Sequence, residues 1–314
     1  MNLKIVFAMV AGLGAAFAGV AGQAATLDAA QLLNQYNLIS IGNVVAYQEV
    51  EGNVYIGGDL NGSTMQADFV QGVEPDPSLA DVVILGDQNA ILNLDSDAAS
   101  TVVIGGSSNN WVNNLGAGSL TVGSLPAATV LDSSEVFATL TAASAALASL
   151  APTATYTETE QGYIFGAGIF TVSLNDLTKN EITFALSAGE TAIINVIGDV
   201  VSFSKNFVNT DYALASQVIW NFVNATVVEL NSKLIGAVLA PTATVSGFSG
   251  SMEGSLFASS VNLTNGEIHY QGFTGTLPIV ENNTPPAVPL PASLPLLFGG
   301  IGLTAFLRRN RKTC

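Results

Sequence analysis

The chain has 314 residues, of which 49% are hydrophobic and 10% are charged, and its 24 acidic and 8 basic residues give a formal net charge of −16. The apolar content is ample for one large domain or two ordinary ones, and it argues against disorder, which combines charge with low hydrophobicity. Nucleic-acid binding is disfavoured, since affinity for phosphate needs clustered Lys and Arg. One Cys and one His argue against cysteine-rich zinc sites, disulfide frameworks and iron–sulfur ligation.

The basic residues are concentrated at the two ends of the chain. Five of the eight lie there, namely Lys4, Arg308, Arg309, Arg311 and Lys312. All acidic residues fall between Asp28 and Glu281, so this segment, with three lysines, carries 3 − 24 = −21. The ends and the body are therefore expected to have different roles.

Residues 1–25 predict a signal peptide for export. Lys4 supplies a basic start, residues 5–20 are uncharged and mostly apolar, and the small residues at 22–25 suit a signal peptidase. The alternative is a buried N-terminal helix, which the many glycines disfavour.

The C-terminal end resembles a known sorting signal. Residues 292–307 are uncharged and mostly apolar, but as a helix they would span roughly 24 Å, short of the ~30 Å hydrocarbon core. The basic residues after them predict a cytoplasmic tail at 308–314, with the acidic body outside. The apolar stretch, the motif and the basic residues together resemble the VPLPA variant of the PEP-CTERM signal: Val288, Pro289, Leu290, Pro291, Ala292, Arg308, Arg309, Arg311 and Lys312.

This resemblance implies processing by an exosortase-type transpeptidase in a Gram-negative bacterium. The precursor would be held in the membrane by a transmembrane segment at 292–307, and a simple tail anchor remains the alternative. The proline-rich residues 278–291 are typical of an extended spacer between the membrane and the body.

The body, residues 26–277, has the pattern of a β-solenoid. Short β-branched runs end at regularly placed glycines: Gly57, Gly86, Gly105 and Gly123, and later Gly236, Gly254 and Gly272. The steps are 29, 19 and 18 in the first set and 18 and 18 in the second. Three strands of about six residues make one such coil, so the pattern predicts an all-β parallel β-helix. A β-sandwich is the alternative, although its hairpins would recur at closer spacing.

Residues 133–150 interrupt the β pattern and predict an amphipathic helix on the flank or end of the solenoid. Asp132 or Ser133 can cap it and Pro152 ends it. One helical face carries Val136, Leu140, Leu147 and Leu150. Membrane binding by this helix is disfavoured because it has no Lys or Arg.

Several stretches of the body resemble the choice-of-anchor A family of bacterial surface proteins. They are NQYNLI at 34–39, GNVYIGGDL at 52–60, VIWNF at 218–222, GAVLAP at 236–241 and GEIHY at 266–270. The resemblance spans roughly residues 28–276. It implies an adhesive module with a β-helical core and supplies no catalytic residues.

Few residues of the body are candidates for chemistry. His269 has no Ser or Cys nucleophile motif around it, so a structural imidazole on the last coil is expected. Trp220 lies in an apolar strand and is expected in the core. Trp111 lies among asparagines and is the candidate ligand contact, because an exposed indole can stack on a sugar ring.

Three pairs of carboxylates are spaced two apart: Glu49/Glu51, Asp95/Asp97 and Glu158/Glu160. On a strand both members point to one face about 6.5–7 Å apart, a separation that overlaps that of inverting glycosidases. A chain this acidic will also contain such pairs by chance, so a solvated face is the simpler interpretation.

Calcium is the only cofactor that the sequence brings into consideration. Corners rich in Asp and Asn at 59–61, 87–89 and 93–97 could supply oxygen ligands. None of them matches the EF-hand or the nonapeptide spacing, and Asn and Asp are also ordinary turn residues.

The sequence therefore predicts an exported adhesive protein of the cell surface or extracellular matrix, delivered through exosortase-type processing. Its expected partners are the processing enzyme, the membrane at its C-terminal segment, and extracellular polysaccharide or another matrix polymer, but no nucleic acid. The alternatives are a β-helix enzyme acting on extracellular polysaccharide and a structural biofilm component without a discrete ligand.

Overall fold

A computed structural model of the protein describes residues 27–69, 76–95, 99–208 and 211–278. The predicted signal peptide, sorting signal, transmembrane segment and basic tail, and the spacer after residue 278, lie outside these residues. Within the described ranges, no helix is long and apolar enough to cross a membrane.

The body is a parallel β-helix made of two stacks of coils. In the described residues, the N-terminal stack consists of helix α1 (Ala29–Gln35) and strands β1 (Leu38–Ser40), β2 (Val44–Ala46), β3 (Glu49–Val50), β4 (Val54–Ile56), β5 (Leu60–Gly62), β6 (Thr64–Ala67), β7 (Val82–Ile84), β8 (Ile91–Leu94), β9 (Thr101–Ile104), β10 (Val112–Asn113) and β11 (Ser119–Val122).

The C-terminal stack follows helix α2 (Ser133–Ser149). Its strands are β12 (Thr157–Glu158), β13 (Gly162–Phe165), β14 (Gly168–Val172), β15 (Glu181–Phe184), β16 (Ala192–Val196), β17 (Val200–Phe203), β18 (Asn206–Phe207), β19 (Val218–Asn221), β20 (Val227–Leu230), β21 (Leu234–Ile235), β22 (Ala237–Ser246), β23 (Met252–Glu253), β24 (Leu256–Leu263) and β25 (Ile268–His269). A 3-10 helix, Tyr212–Gln217, precedes β19.

The strands line up on three faces. Face 1 is one parallel sheet in the order β11-β9-β7-β4-β1-β24-β22-β19-β16-β14. Face 2 has the order β5-β2-β24-β22-β20-β17, because the long strands β22 and β24 turn the corner from face 1. Face 3 consists of β10-β8-β6-β3-β25-β23-β21 and, in the outer coils of the C-terminal stack, β12-β13-β15-β18. These pairs are parallel except β12–β13, which is antiparallel.

The coils do not stack in chain order. Leu38 of β1 is in register with Val54 of β4 on one side and with Leu256 of β24 on the other. The chain winds outward from β1 to β11, continues through α2, and winds back from β14 to β24, so the last coil docks on the first. We call this contact of β24 and β25 with β1, β2 and β3 the seam. The repeat spacing predicted coils but not this order.

Two apolar layers hold the coils together. Alternate residues of the strands, such as Val102 and Ile104, fill the interior and are fully buried. The intervening residues of face 1, such as Tyr55 and Val83, form a second buried layer under the two helices. Because face 1 is buried on both sides, its strands are continuous apolar runs rather than alternating ones.

The predicted helix is present as α2 and lies on face 1. Asp132 caps it by accepting the N–H groups of Ser134 and Glu135 on Oδ1. Val136, Leu140 and Leu147 are buried, and Leu150 is the half-buried C-cap residue.

Two buried asparagines of face 1 bond to α2. Asn221 Nδ2 donates to the Ser144 carbonyl at 2.8 Å, and Asn195 Nδ2 donates to the Leu147 carbonyl at 2.9 Å. The prediction of a single helix was incomplete, since α1 also covers face 1 and is capped by Asp28. Face 1 is therefore closed to a large ligand along α2.

The predicted repeats are partly correct. Val238, Leu239 and Ala240 pair with Leu256, Phe257 and Ala258, as the parallel between these segments suggested. The expected alignment of Gly57 with Gly86 is off by one residue, because Ile56 pairs with Ile84. Gly272 is not a further rung: it follows the last strand and approaches Asn34 and Tyr270. Unequal loops between strands cause both differences.

Candidate functional site

The three faces differ in what they offer to a ligand. Face 1 is covered by helices, and face 3 carries the carboxylates of Glu49, Glu51, Glu253 and Glu267 at the seam. The outward positions of face 2 are mostly uncharged and polar, and they include Ser202, Ser246, Asn262, Asn61, Asn89 and Asn109. The exceptions include Val45, Val200, Val227 and Glu229. Face 2 is therefore the candidate site.

Asn61, Asn89 and Asn109 form an asparagine ladder on face 2. Asn89 Nδ2 donates to Asn61 Oδ1 at 3.0 Å, and Asn109 Nδ2 donates to Asn89 Oδ1 at 2.8 Å. Coils of a parallel β-helix lie about 4.8 Å apart, so the amides repeat at this spacing. A side-chain amide has two donor hydrogens and two acceptor lone pairs, so each member keeps hydrogen-bonding capacity toward solvent.

A second column of side chains fixes the corner between face 1 and face 2. The Oδ1 atoms of Asn43, Asp59 and Asp87 accept the N–H groups of Asp59, Asp87 and Ser107 at 2.8, 2.8 and 2.7 Å. Each bond joins one coil to the next. This corner column keeps the strands of face 2 in register.

Glycine is required beside each of these bonds. A Cβ atom on Gly58, Gly86 or Gly106 would lie 2.2, 2.3 or 2.3 Å from the accepting Oδ1 atom of the preceding coil. A glycine followed by Asn, Asp or Ser thus marks the corner, a signal that is present in the sequence. At two of the corners considered for calcium, Asp59 and Asp87 accept backbone N–H groups. Among the described residues, no three or more His, Cys, Asp or Glu side chains are grouped so that they could hold an ion.

Trp111 lies at the turn between the ladder on face 2 and β10 on face 3. Its side chain is 73% exposed, whereas Trp220 is fully buried in the core as predicted. The backbone at Trp111 is fixed, since its N–H donates to Asn110 Oδ1 and its carbonyl accepts the N–H of Leu92, both at 2.9 Å. The indole is therefore presented to solvent from a rigid turn.

His269 lies on β25 at the seam, between two carboxylates. Its Nδ1 is 3.0 Å from Glu253 Oε1 and its Nε2 is 3.2 Å from Glu267 Oε2. Burial lowers the pKa of His269, but the bonds to Glu253 and Glu267 outweigh it, so the pKa is raised overall. Glu253 also binds Lys233 Nζ at 3.1 Å, and the arrangement is that of an ionic contact within the fold.

Two of the three carboxylate pairs considered for catalysis have one member engaged in a contact within the fold. Glu51 accepts the N–H of Tyr270 at 2.9 Å across the seam. Burial and the nearby Glu267 and Glu51 raise the pKa of Glu49. Glu158 forms an ion pair with Lys179 at 2.8 Å, and Asp97 lies outside the described residues.

An open groove of about 420 Å³ lies between α2 and the corner after β16. Two of its polar side chains are bonded within the protein: Asn195 to the Leu147 carbonyl, and Asp199 Oδ1 to Thr226 Oγ1 at 2.7 Å. Thr171 and Asn224 also line the groove but form no repeating array. The groove is thus a weaker candidate than face 2.

Comparisons with known proteins place the domain in a family. Residues 29–270 match the family model described as "Putative Ice-binding-like adhesive domain". No curated protein matches the chain. Among solved structures, the chain is similar to an ice-binding protein from an Antarctic ascomycete, Antarctomyces psychrotrophicus, with 15% identity, coverage of 76% of this chain and 96% of that chain, and a TM-score of 0.32.

The family match covers most of the body. It confirms the expectation of an adhesive domain, whereas the choice-of-anchor A assignment and the sorting signal stay predictions. The chain belongs to the family of ice-binding-like adhesive domains.

Proposed function

We propose that the protein is an exported adhesive module that holds extended, hydrated matrix polymers, in the first place neutral polysaccharide, along face 2. The observation that carries the proposal is the asparagine ladder, in which amides repeat at the coil spacing on an exposed face. Such an array matches a ligand that also repeats. Trp111 lies two residues after Asn109, the last member of the ladder, and adds an aromatic surface on which a sugar ring can stack.

The charge of the body narrows the choice of partner. With 24 acidic residues and three lysines between Asp28 and Glu281, the body repels nucleic acid, anionic lipid and acidic polymers at low salt. The favoured partners are neutral or cationic, or acidic and bridged by Ca²⁺.

The flatness of face 2 favours many weak contacts over one strong contact. A single amide–hydroxyl bond contributes about 0.5–1.5 kcal/mol, so a single sugar should bind weakly. Binding should strengthen as the polymer engages more coils, because each further contact is intramolecular once the first is made.

Delivery to the cell surface forms part of the proposal. Residues 1–25 would direct export, and the signal at 288–312 would direct exosortase-type processing in a Gram-negative bacterium, as in surface proteins of the choice-of-anchor A type. The mass of the native protein tests this: we expect a start at Ala25 or Thr26 and loss of the tail, and a mass that retains Arg308 and Cys314 would contradict the processing step.

Ice is the second candidate ligand. The family description names ice binding, and a regular array of amides can also order water at a surface. An enzymatic role has less support, because Glu51 and Glu158 are engaged in contacts within the fold.

The decisive experiment measures binding of the purified protein to neutral oligosaccharides of increasing length. We expect affinity to rise steeply with length and retention on the insoluble polymer to be clear. Released reducing ends and thermal hysteresis are measured on the same samples. Length-independent binding, turnover lost on Glu49→Gln/Glu51→Gln, or hysteresis without polymer binding would each overturn the polysaccharide proposal.

A further inference from the structure

The coil that ends the N-terminal stack leaves the interior of the β-helix open. Leu120 and Val122 of β11 are in register with Val102 and Ile104, which belong to the interior column. Val102 and Ile104 are 0% exposed, whereas Leu120 is 41% and Val122 is 45% exposed. In the part of the chain that the structure describes, β11 pairs only with β9, so its other edge lacks a strand.

The interior of the β-helix is covered at the opposite end. Thr153 and Ala154 cross β14 and donate their N–H groups to the Ile169 carbonyl at 3.0 and 3.2 Å. Tyr156 packs on Tyr163 and Phe165 with ring centroids 5.1 and 5.3 Å apart, and β12 pairs antiparallel along β13. The interior residues of these coils are accordingly buried, with Phe165 at 0% and Phe170 at 2% exposure.

The open end is also a neutral region on a strongly acidic protein. No charged residue occurs between Asp97 and Asp132, a stretch that contains β10 and β11, while the body as a whole carries a large negative charge. Two copies would repel each other over most of their surfaces and least at this end.

We propose that the open end binds the same end of a second copy, giving a two-fold dimer in which the two β11 strands pair antiparallel. An exposed strand edge is a template for another strand, and a repeat protein normally needs a cap over its terminal core. A two-fold contact brings identical patches together, so Leu120 and Val122 of each copy would be covered by the other. Because a two-fold contact uses the same patch on both copies, the assembly stops at the dimer.

Sedimentation of the full-length protein over a wide concentration range tests the proposal. The wild type should convert from monomer to dimer, and added salt should strengthen the dimer by screening the repulsion between the acidic bodies. The double variant Leu120→Asp/Val122→Asp should raise the dissociation constant at least ~100-fold, because carboxylates would be buried at the contact.

The matched control is Ile197→Asp/Val200→Asp. It adds the same charge at side chains that are 63% and 65% exposed in the C-terminal stack, and it should leave the dimer intact. Hydrogen exchange of the β11 amides in the wild type is a readout that needs no variant, and protection should rise with protein concentration.

Four results would overturn the proposal. If the wild type is monomeric at all concentrations and its β11 amides are protected, another segment of the same chain covers β11. If it is monomeric and these amides are unprotected, β11 stays uncovered in solution. Assemblies larger than a dimer would exclude the two-fold contact. A dimer that survives in the Leu120→Asp/Val122→Asp variant would place the interface elsewhere.

Discussion

The side chain of Asn37 donates a hydrogen bond of 2.8 Å to the carbonyl oxygen of Gly254, across 217 positions of sequence. The same amide accepts the N–H of Gly52 on Oδ1 at 3.1 Å. One buried side chain thus bonds to the backbone just before β4, in the second coil, and just before β24, in the last coil. It reinforces the seam, where two stacks that are distant in sequence become one β-helix.

Replacing Asn37 by Ala should destabilise the whole fold. The change leaves the buried N–H of Gly52 and the carbonyl of Gly254 without this partner, which costs about 2–4 kcal/mol of the free energy of unfolding. Denaturant unfolding measures it. The control is Asn113→Ala, which removes an exposed amide bonded to Asn93 and should cost about 0.5 kcal/mol or less. Equal losses in the two variants would contradict the role of Asn37 in the seam.

The stability of the seam should fall as the pH rises. The folded-state pKa of His269 is raised, so its stabilising contribution is complete below the unfolded pKa of about 6.5 and is lost as the pH rises through the folded pKa. Glu49 acts in the same direction, since its raised pKa means that its ionised form destabilises the fold. Glu51, Glu253, Glu267 and Lys233 are the other charged groups that face these two side chains at the seam.

Thermal unfolding between about pH 5.5 and about pH 8 measures this effect. We expect the Tm to fall by roughly 1–4 °C, as befits a partly exposed ion pair. His269→Gln should flatten the profile, while Glu158→Gln, which removes an ion pair with Lys179 away from the seam, should leave the slope unchanged. A Tm that rises over this range would contradict the seam as the source of the effect.

The corner column should be sensitive to a single methyl group. In Gly86→Ala the new Cβ would lie 2.3 Å from Asp59 Oδ1 and 2.7 Å from the Gly58 carbonyl, so the coils must separate locally. We expect a loss of about 1–3 kcal/mol in the free energy of unfolding.

Gly166→Ala is the matched control, because beyond its chain neighbours the atom nearest to its Cβ would be the Ala185 carbonyl oxygen at 3.8 Å. Urea unfolding of both variants gives the comparison. If Gly86→Ala were as stable as Gly166→Ala, the corner column would not be holding the coils in register.

Much of the fold follows from local patterns. The run Val102-Val103-Ile104 is apolar on both sides because it lies between the interior and the helical layer, and Asp132 and Pro152 delimit α2 in the way that caps and prolines do. Val238 and Leu256 pair at the predicted spacing of 18. These are signals within one coil or between adjacent coils.

The seam and the ladder could not be predicted in this way. Coils are chemically alike, so nothing in the repeat says that Leu256 pairs with Leu38; specific contacts such as those of Asn37 select that partner. The asparagine ladder was missed because its members are 28 and 20 residues apart, and unequal loops hide the period.

Trp111 should contribute to polymer binding without contributing to stability. Trp111→Ala removes a side chain that is 73% exposed, so the Tm should change by less than about 2 °C while retention on the polymer weakens. Trp220→Ala, in contrast, should lower the free energy of unfolding by about 3–5 kcal/mol, because this indole is fully buried.

Fluorescence separates the two tryptophans. In the wild type, polymer should shift the emission of exposed Trp111 and leave that of Trp220 unchanged, and Trp111→Ala should abolish the shift. A shift that persists in Trp111→Ala would exclude Trp111 as the contact.

If face 2 holds the polymer through its asparagine ladder, loss of the ladder must weaken retention on an insoluble neutral polysaccharide. The triple variant Asn61→Ala/Asn89→Ala/Asn109→Ala is compared with Asn93→Ala/Asn113→Ala, which removes the same chemistry from the same region on face 3. We expect the triple variant to lose at least about tenfold in affinity and the face 3 variant to bind like the wild type. Equal retention of the triple variant and the wild type, or a loss confined to the face 3 variant, would contradict it.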